Sequence, residues 1–327
     1  MITLDTIRQP IQPLLADFEQ FIQKQFTAEG DLLSEMLQHA LSARGKGIRP
    51  MLVLLTASLH AESHKVGRRS HIAAMLVEMI HMASLIHDDV IDEADERRGR
   101  PSANALWQSR NAVILGDFIL ARNMTIGLES GQFDLVTHII RSISTLCEGE
   151  ILQSEGVQKQ IISRSRYLDI IRRKTASLLA VSASAGALSV GADREAIERM
   201  NRFGEAIGMA FQIQDDLLDY RQDAQTGKPS LNDLREGKIT LPLLYVLEHA
   251  SEERQRELLE KLSACHQDDR AVAYLQTVVE QCGGLQEAER VMEEYISEGL
   301  SLLQTYPTSE IRTALENLCH YITKRNR

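Results

Sequence analysis

Asp88, Asp89 and Asp92 form a D-D-x-x-D set, and Asp215, Asp216 and Asp219 repeat the same spacing 127 residues later. On a helix the first and third aspartates of each set lie roughly 40° apart and the second roughly 60° from the third. All three can then face one cleft. Like charges on one helical face repel, so a cation is expected between them. Mg²⁺ prefers oxygen donors, takes one or two carboxylates and leaves positions for water and phosphate. Two such sets facing each other would make a Mg²⁺-diphosphate clamp.

Basic residues supply the other half of that chemistry. Lys46 and Arg49 flank a helix start whose free N–H groups favour an anion. Arg97 and Arg98 follow the first acidic set, Lys174-Thr175 lies between the two sets, and Lys228 and Lys238 follow the second. Taken singly, each could be a solvated helix end.

These residues need helices to carry them. Residues 71–95 lack Gly and Pro and place Ile72, Met75, Met79, Met82 and Ile86 at spacings of three and four. That pattern predicts a long buried helix ending in the first acidic set. Pro50 suits the first turn of a helix over Pro50–Ala61. Helical patterns also cover 11–43 with a break at Glu29-Gly30-Asp31, then about 103–109, 111–129, 132–155, 163–190 and 193–222. Residues 223–233 are expected to be a loop, and helices resume from Leu241 with breaks near 267–269, 283–284 and Pro307. Sustained β-alternation and linkers of low complexity are missing. The expected architecture is one all-α domain over residues 1–327, with about 12–15 helices.

Composition agrees with packed helices: 43% of the 327 residues are hydrophobic and only 5% aromatic. A formal charge of −10 argues against nucleic acid as a partner, which would need a basic footprint. The four cysteines form no C-x-x-C pair, so reduced thiols and a cytoplasmic location are expected. The N-terminus lacks the basic-then-apolar order of a signal peptide, and no charge-free apolar run of 18 residues offers a membrane span. Peripheral membrane association stays open.

The ordered motifs Gly45-Lys46-x-x-Arg49-Pro50, His81-x5-His87-Asp88-Asp89-x-x-Asp92, Arg97-Arg98-Gly99, Lys174-Thr175, Phe211-Gln212-x-x-Asp215-Asp216-x-x-Asp219, Gly227-Lys228-Pro229 and Gly237-Lys238-x-Thr240-x-Pro242 resemble the trans-isoprenyl diphosphate synthases, or polyprenyl synthetases. The resemblance spans about residues 40–245. It implies an all-α bundle around a deep central cavity, working as a homodimer. In the implied reaction an allylic diphosphate ionises, C4 of isopentenyl diphosphate attacks the allylic cation, and a proton is lost to the released diphosphate.

By the same resemblance Asp88, Asp92, Asp215 and Asp219 would hold three Mg²⁺ ions, with Asp89 and Asp216 contributing. Arg97, Lys174, Thr175, Gln212, Lys228 and Lys238 would contact the allylic diphosphate. Of these, Arg97, Lys174 and Lys238 join Asp88, Asp89, Asp92, Asp215 and Asp216 as the catalytic set. Lys46, Arg49, His81 and Arg98 would bind isopentenyl diphosphate. One departure stands out: the family's usual Gly-Gly-Lys-Arg-x-Arg-Pro is here Arg44-Gly45-Lys46-Gly47-Ile48-Arg49-Pro50.

Product length should depend on what blocks the cavity below the first acidic set. Each helical turn advances about 5.4 Å, roughly one isoprene unit. One turn before Asp88 stand Ala83 and Ser84, both small, where short-chain members of the family carry an aromatic residue. Ile80 and Met79 follow below, and Phe133, Ile139, Ile143 and Leu146 are candidates for a deeper floor. A long-chain product of about C30–C50, made from a farnesyl or geranylgeranyl primer for a quinone side chain, is expected. A short-chain synthase of about C15–C20, or the catalytic subunit of a heteromeric enzyme with a small accessory subunit, is the alternative. A terpene cyclase would not need Lys46, Arg49, Arg98 or the second acidic set. A non-catalytic subunit would have lost some of them.

Overall fold

The computed structural model describes residues 2–42, 45–61, 66–159, 163–221 and 231–324. Arg44 and the Gly227-Lys228-Pro229 segment, including the anticipated diphosphate ligand Lys228, lie outside these residues. The architecture is all-α, as the periodicity predicts. Among the described residues, strand is confined to a hairpin pairing β1 (Glu96–Arg97) with β2 (Arg100–Pro101). The hairpin was not expected from the sequence. Its two turn residues, Arg98 and Gly99, have φ of 56° and 76°, the left-handed pair that a two-residue hairpin turn demands.

α1 (Leu4–Arg8), α2 (Gln12–Gln25) and α3 (Asp31–Ser42) lead to α4 (Ile48–His60) and then to the central helix α5 (Arg68–Ile91). In α5 every residue from Ile72 to Ile80 is buried, so its apolar character reflects a position inside the bundle. It is long and apolar enough to cross a membrane, yet 72% of its most apolar window is buried inside the protein. The helix stops at Ile91, four residues before the expected end. Asp92 caps it with φ −85° and ψ 1°, and Glu93 turns left-handed. The third aspartate therefore stands at the helix end and not on its face.

α6 (Ala103–Glu129) runs back along α5, with a kink at Gln108 (φ 67°) where the sequence suggested two separate helices. α7 (Phe133–Lys159) follows. The pattern over 163–190 resolves into α8 (Arg164–Ile171), a π-helical turn over Arg172–Ala176, and α9 (Ser177–Ser189). π turns interrupt helices most often at functional positions, and this one carries Lys174 and Thr175. α9 packs on α4 and on α10 (Arg194–Arg221). A Cβ on Gly208 of α10 would lie 2.5 Å from Ala176 Cα, so only glycine permits that approach.

Asn232 and Asp233, expected in a loop, instead begin the short helix α11 (Asn232–Arg235). α12 (Leu241–His249), α13 (Glu252–Ala264) and α14 (Asp269–Gln281) enclose a second apolar cluster built on Leu243, Leu247, Leu258, Leu262, Leu275 and Val279. The break between α12 and α13 went unpredicted, although Ser251 marks it by capping α13 through the Arg254 N–H. α15 (Gly284–Leu303) covers α10, and α16 (Glu310–Lys324) returns to pack on α1, α4, α10 and α15.

Candidate active site

α5 and α10 bring the two acidic sets to the same end of the bundle, where α7 and the π turn meet them. Asp88 lies on the last turn of α5. Burial first, and then the facing carboxylate of Glu150 on α7, push its carboxyl up to about 6, against the pull of Lys174. Lys174 Nζ meets Glu150 Oε2 at 2.8 Å. α7 comes this near because Gly149 has no side chain: a Cβ there would stand 2.7 Å from the Lys174 backbone nitrogen.

Asp89 takes a different part. It is buried, and Arg97 forks onto its Oδ1 through Nε at 2.6 Å and Nη2 at 2.5 Å. The expectation that all three aspartates share one cleft therefore fails for Asp89. A residue 100° round the helix from Asp88 meets the hairpin side.

The second set divides in the same way. Asp216 is buried, and it receives the Tyr167 hydroxyl at 2.6 Å on Oδ2 and the Gln212 amide at 2.9 Å on Oδ1. Gln212 in turn accepts from Thr175 Oγ1 at 2.7 Å. Burial and the nearby Asp233 raise the Asp216 carboxyl above the ordinary carboxylate range. Asp219 caps α11, accepting the N–H groups of Asn232 at 3.1 Å and Asp233 at 3.0 Å. Asp215 is half-buried beside them.

Lys238 spans the gap between the sets. Burial lowers its affinity for a proton, but Glu236, Asp233 and Asp92 together raise it. Its ammonium pairs with Glu236 and stands 3.8 Å from Asp233. A cavity of about 150 Å³ opens here, lined by Tyr167, Lys174, Thr175, Gln212, Asp216 and Lys238 among others.

A basic cluster forms separately. Burial and then the charges of Arg49, Arg98 and Arg97 hold the His81 imidazole well below its ordinary pKa, so it is neutral near pH 7. Burial, partly offset by Glu78, brings Arg49 down to about 10. Its Nε is sealed from solvent without a hydrogen-bond partner. The Arg98 guanidinium lies against Gly45, in the space a Cβ would fill. Arg49, His81 and Arg98 thus converge, Lys46 follows the Gly45 on which Arg98 rests, and a smaller cavity of about 60 Å³ touches His81, Asp89, Arg97 and Arg98.

Among the described residues no three acidic, imidazole or thiol side chains converge tightly enough to hold a metal ion by themselves. The donors nevertheless suit a hard divalent cation bound jointly with phosphate. They are carboxylate oxygens, and burial, together with the neighbouring carboxylates of Glu150 and Asp92, raises the Asp88 carboxyl to about 6, a cost of ionisation that a cation would relieve.

Below the site, Ala83 and Met79 are fully buried, Ile80 is 2% exposed, and Ser84 is half-buried with its hydroxyl on His81 O at 2.9 Å. Phe133, a candidate floor, is 63% exposed on the first turn of α7. That removes it from the interior, because its position falls on the outward side of α7. Ile139 is buried.

A polyprenyl synthetase family model matches residues 30–281. The chain belongs to the polyprenyl synthetase family. It is therefore a prenyltransferase, and the long-helix bundle described above is this family's fold. The chain is 37% identical to heptaprenyl diphosphate synthase component 2 of Geobacillus stearothermophilus, over 95% of this chain and 96% of that protein. Among solved structures it resembles a decaprenyl diphosphate synthase from Rhodobacter capsulatus, with a TM-score of 0.92 and 30% identity over 99% of this chain and 100% of that one. A polyprenyl synthase from Caulobacter crescentus, complexed with calcium and isoprenyl diphosphate, gives a TM-score of 0.90 at 30% identity over 99% of this chain and 98% of that one.

Sequence reasoning missed several polyprenyl synthetase residues that the fold brings to the site. Glu150, Tyr167 and Asp233 gave no local signal: Glu150 and Tyr167 belong to ordinary helical stretches, and Asp233 closes the polar segment expected to be a loop. Glu78 did give one: it is a carboxylate in the middle of the apolar run of α5, and it is buried at 6% exposure near Arg49.

Proposed function

We propose that this polyprenyl synthetase condenses isopentenyl diphosphate repeatedly with an allylic diphosphate, in the presence of Mg²⁺, to give a long all-trans-polyprenyl diphosphate of about C30–C50. A quinone side chain is the proposed destination. The observation that carries this reading is the pairing of an acidic site with a separate basic one. Asp88, Asp92, Asp215 and Lys238 suit a cation-bound diphosphate, while Lys46, Arg49, Arg98 and His81 suit a second diphosphate without one. A diphosphate leaving group and a diphosphate nucleophile need those two kinds of site.

In the proposed reaction the C1–O bond of the allylic substrate breaks, C4 of isopentenyl diphosphate bonds to C1, and one proton passes to the released diphosphate. Mg²⁺ would supply the charge that makes diphosphate a leaving group. Asp88, Asp92 and Asp215 would hold it, and three ions are proposed. Asp219, engaged at the start of α11, would join by turning one oxygen away from a backbone N–H. Lys174 and Lys238 would leave Glu150 and Glu236 to meet the diphosphate, with Thr175 and Gln212 completing that side. Arg97 would contact the same diphosphate while fixing Asp89.

The long product is supported by the heptaprenyl and decaprenyl synthases among the relatives and by the small Ala83 and Ser84. We further propose one domain over residues 1–327, a cytoplasmic location, and a homodimer. Leu106, Val113 and Ile114 on α6 and Phe133, Ile140 and Ile151 on α7 are exposed and would gain from burial between two copies. The Geobacillus relative is component 2 of a heptaprenyl diphosphate synthase, which supports a small accessory subunit as the alternative.

Radiolabelled isopentenyl diphosphate, offered to the purified chain with C10, C15 and C20 primers and Mg²⁺, tests the reading. The expected result is label in products longer than C25. Products that stop at C15–C20 would replace it by the short-chain alternative, and activity appearing only with a second polypeptide would show a heteromer.

A further inference from the structure

We propose that Tyr321 of α16 is a positioning residue for the second substrate: it holds the Lys46 ammonium where the diphosphate of isopentenyl diphosphate binds. This rests on the role given to Lys46 above and adds the device that places it. Lys46 lies between Gly45 and Gly47, and Gly47 is left-handed with φ 60°. A flexible side chain on so permissive a backbone is expected to sample many positions.

Contacts from opposite ends of the chain limit that sampling. The Arg8 guanidinium of α1 donates to the Lys46 carbonyl and fixes the backbone. Lys46 Nζ donates to the Tyr321 hydroxyl at 3.3 Å and stands 5.8 Å from the centre of its ring. α16 packs on α1, and also on α4, whose first turn carries Arg49. Both contacting residues lie outside the 30–281 match to the family model. An aromatic face and a hydroxyl hold a cation without neutralising it, so the Tyr321 contact does not itself compete with an anion. A carboxylate in its place would compete with the diphosphate.

The test uses Tyr321→Phe, Tyr321→Leu, Lys46→Ala and the double variant Lys46→Ala with Tyr321→Phe, in steady-state kinetics with isopentenyl and farnesyl diphosphates. The expected KM for isopentenyl diphosphate rises about threefold in the Phe variant and about tenfold in the Leu variant, from loss of a hydrogen bond and then of the ring. KM for farnesyl diphosphate and kcat stay within about twofold. In the Lys46→Ala background, Tyr321→Phe adds nothing further. An unchanged KM for isopentenyl diphosphate in a variant with native circular dichroism, an equal rise for both substrates, or an additive effect without Lys46 overturns the proposal. Should the Leu variant not fold, the Phe variant and the double variant carry the test alone. A wild-type chain that incorporates no isopentenyl diphosphate defeats the functional reading itself, and that control is read before any variant.

Discussion

Asp88 is costly to ionise where it stands, and that cost has a measurable sign. The folded protein keeps its proton up to about pH 6, whereas the unfolded chain releases it near 3.8. Between those values the folded state binds more protons, so its stability falls as pH rises from about 4 to 6 and stays lowered above. Asp88→Asn removes the charge. At pH 7.5 without metal it is expected to stabilise the fold by about 1 kcal/mol, after allowance for partial solvent exposure, seen as a rise of about 2 °C in Tm. The same change should lower kcat by about 100-fold or more, because the group that neutralises the leaving diphosphate loses a ligand. Wild-type kcat/KM should likewise fall below about pH 6 as Asp88 takes up its proton. A variant that is less stable at pH 7.5, or one that keeps its activity, would contradict this account of Asp88.

At the scale of elements, α5 carries both the first acidic set and the residues proposed to gate chain growth. Ala83 is fully enclosed by its neighbours, so a larger side chain there disturbs packing as well as any channel. Ser84 is half-buried on the same turn and is the cleaner probe. Ser84→Phe is expected to shorten the product by at least one isoprene unit, since one turn of helix spans about 5.4 Å. Reverse-phase chromatography of the dephosphorylated products reads this directly, and an unchanged length would show that this face of α5 does not limit elongation. The π turn between α8 and α9 matters in the same way. It sets Lys174 and Thr175 toward Glu150 and Gln212, which a straight helix of the same sequence would present at another angle.

For the whole molecule, the exposed apolar residues of α6 and α7 lie outside the core formed around α5. Replacing Ile114 and Ile140 together by Glu should leave the fold intact, because both are more than 40% exposed. It should also convert a dimer into a monomer in analytical ultracentrifugation, since two charges would be desolvated in each half of the interface. A wild-type chain that sediments as a monomer, or a double variant that remains dimeric, would remove α6 and α7 from the interface.

By itself the sequence determined the all-α class, the long central helix and the order of the motifs. These follow from local chemistry: a 3.6-residue apolar period, glycine and proline at breaks, and doubled carboxylates at fixed spacing. Even within that reach, helix ends depended on capping, which is why α5 ended at Ile91, with Asp92 as its cap, and α13 began at Glu252, behind Ser251. Tertiary structure alone decided what each charged residue does. Asp89 and Asp216 look equivalent to their neighbours in the chain, yet Arg97 claims one, and Tyr167 with Gln212 claims the other. Glu150 and Tyr321 reached the site only because α7 and α16 fold back to it. Partners far apart in sequence leave no periodic trace, and burial, which sets the charge state of Asp88 and His81, exists only once the helices have packed.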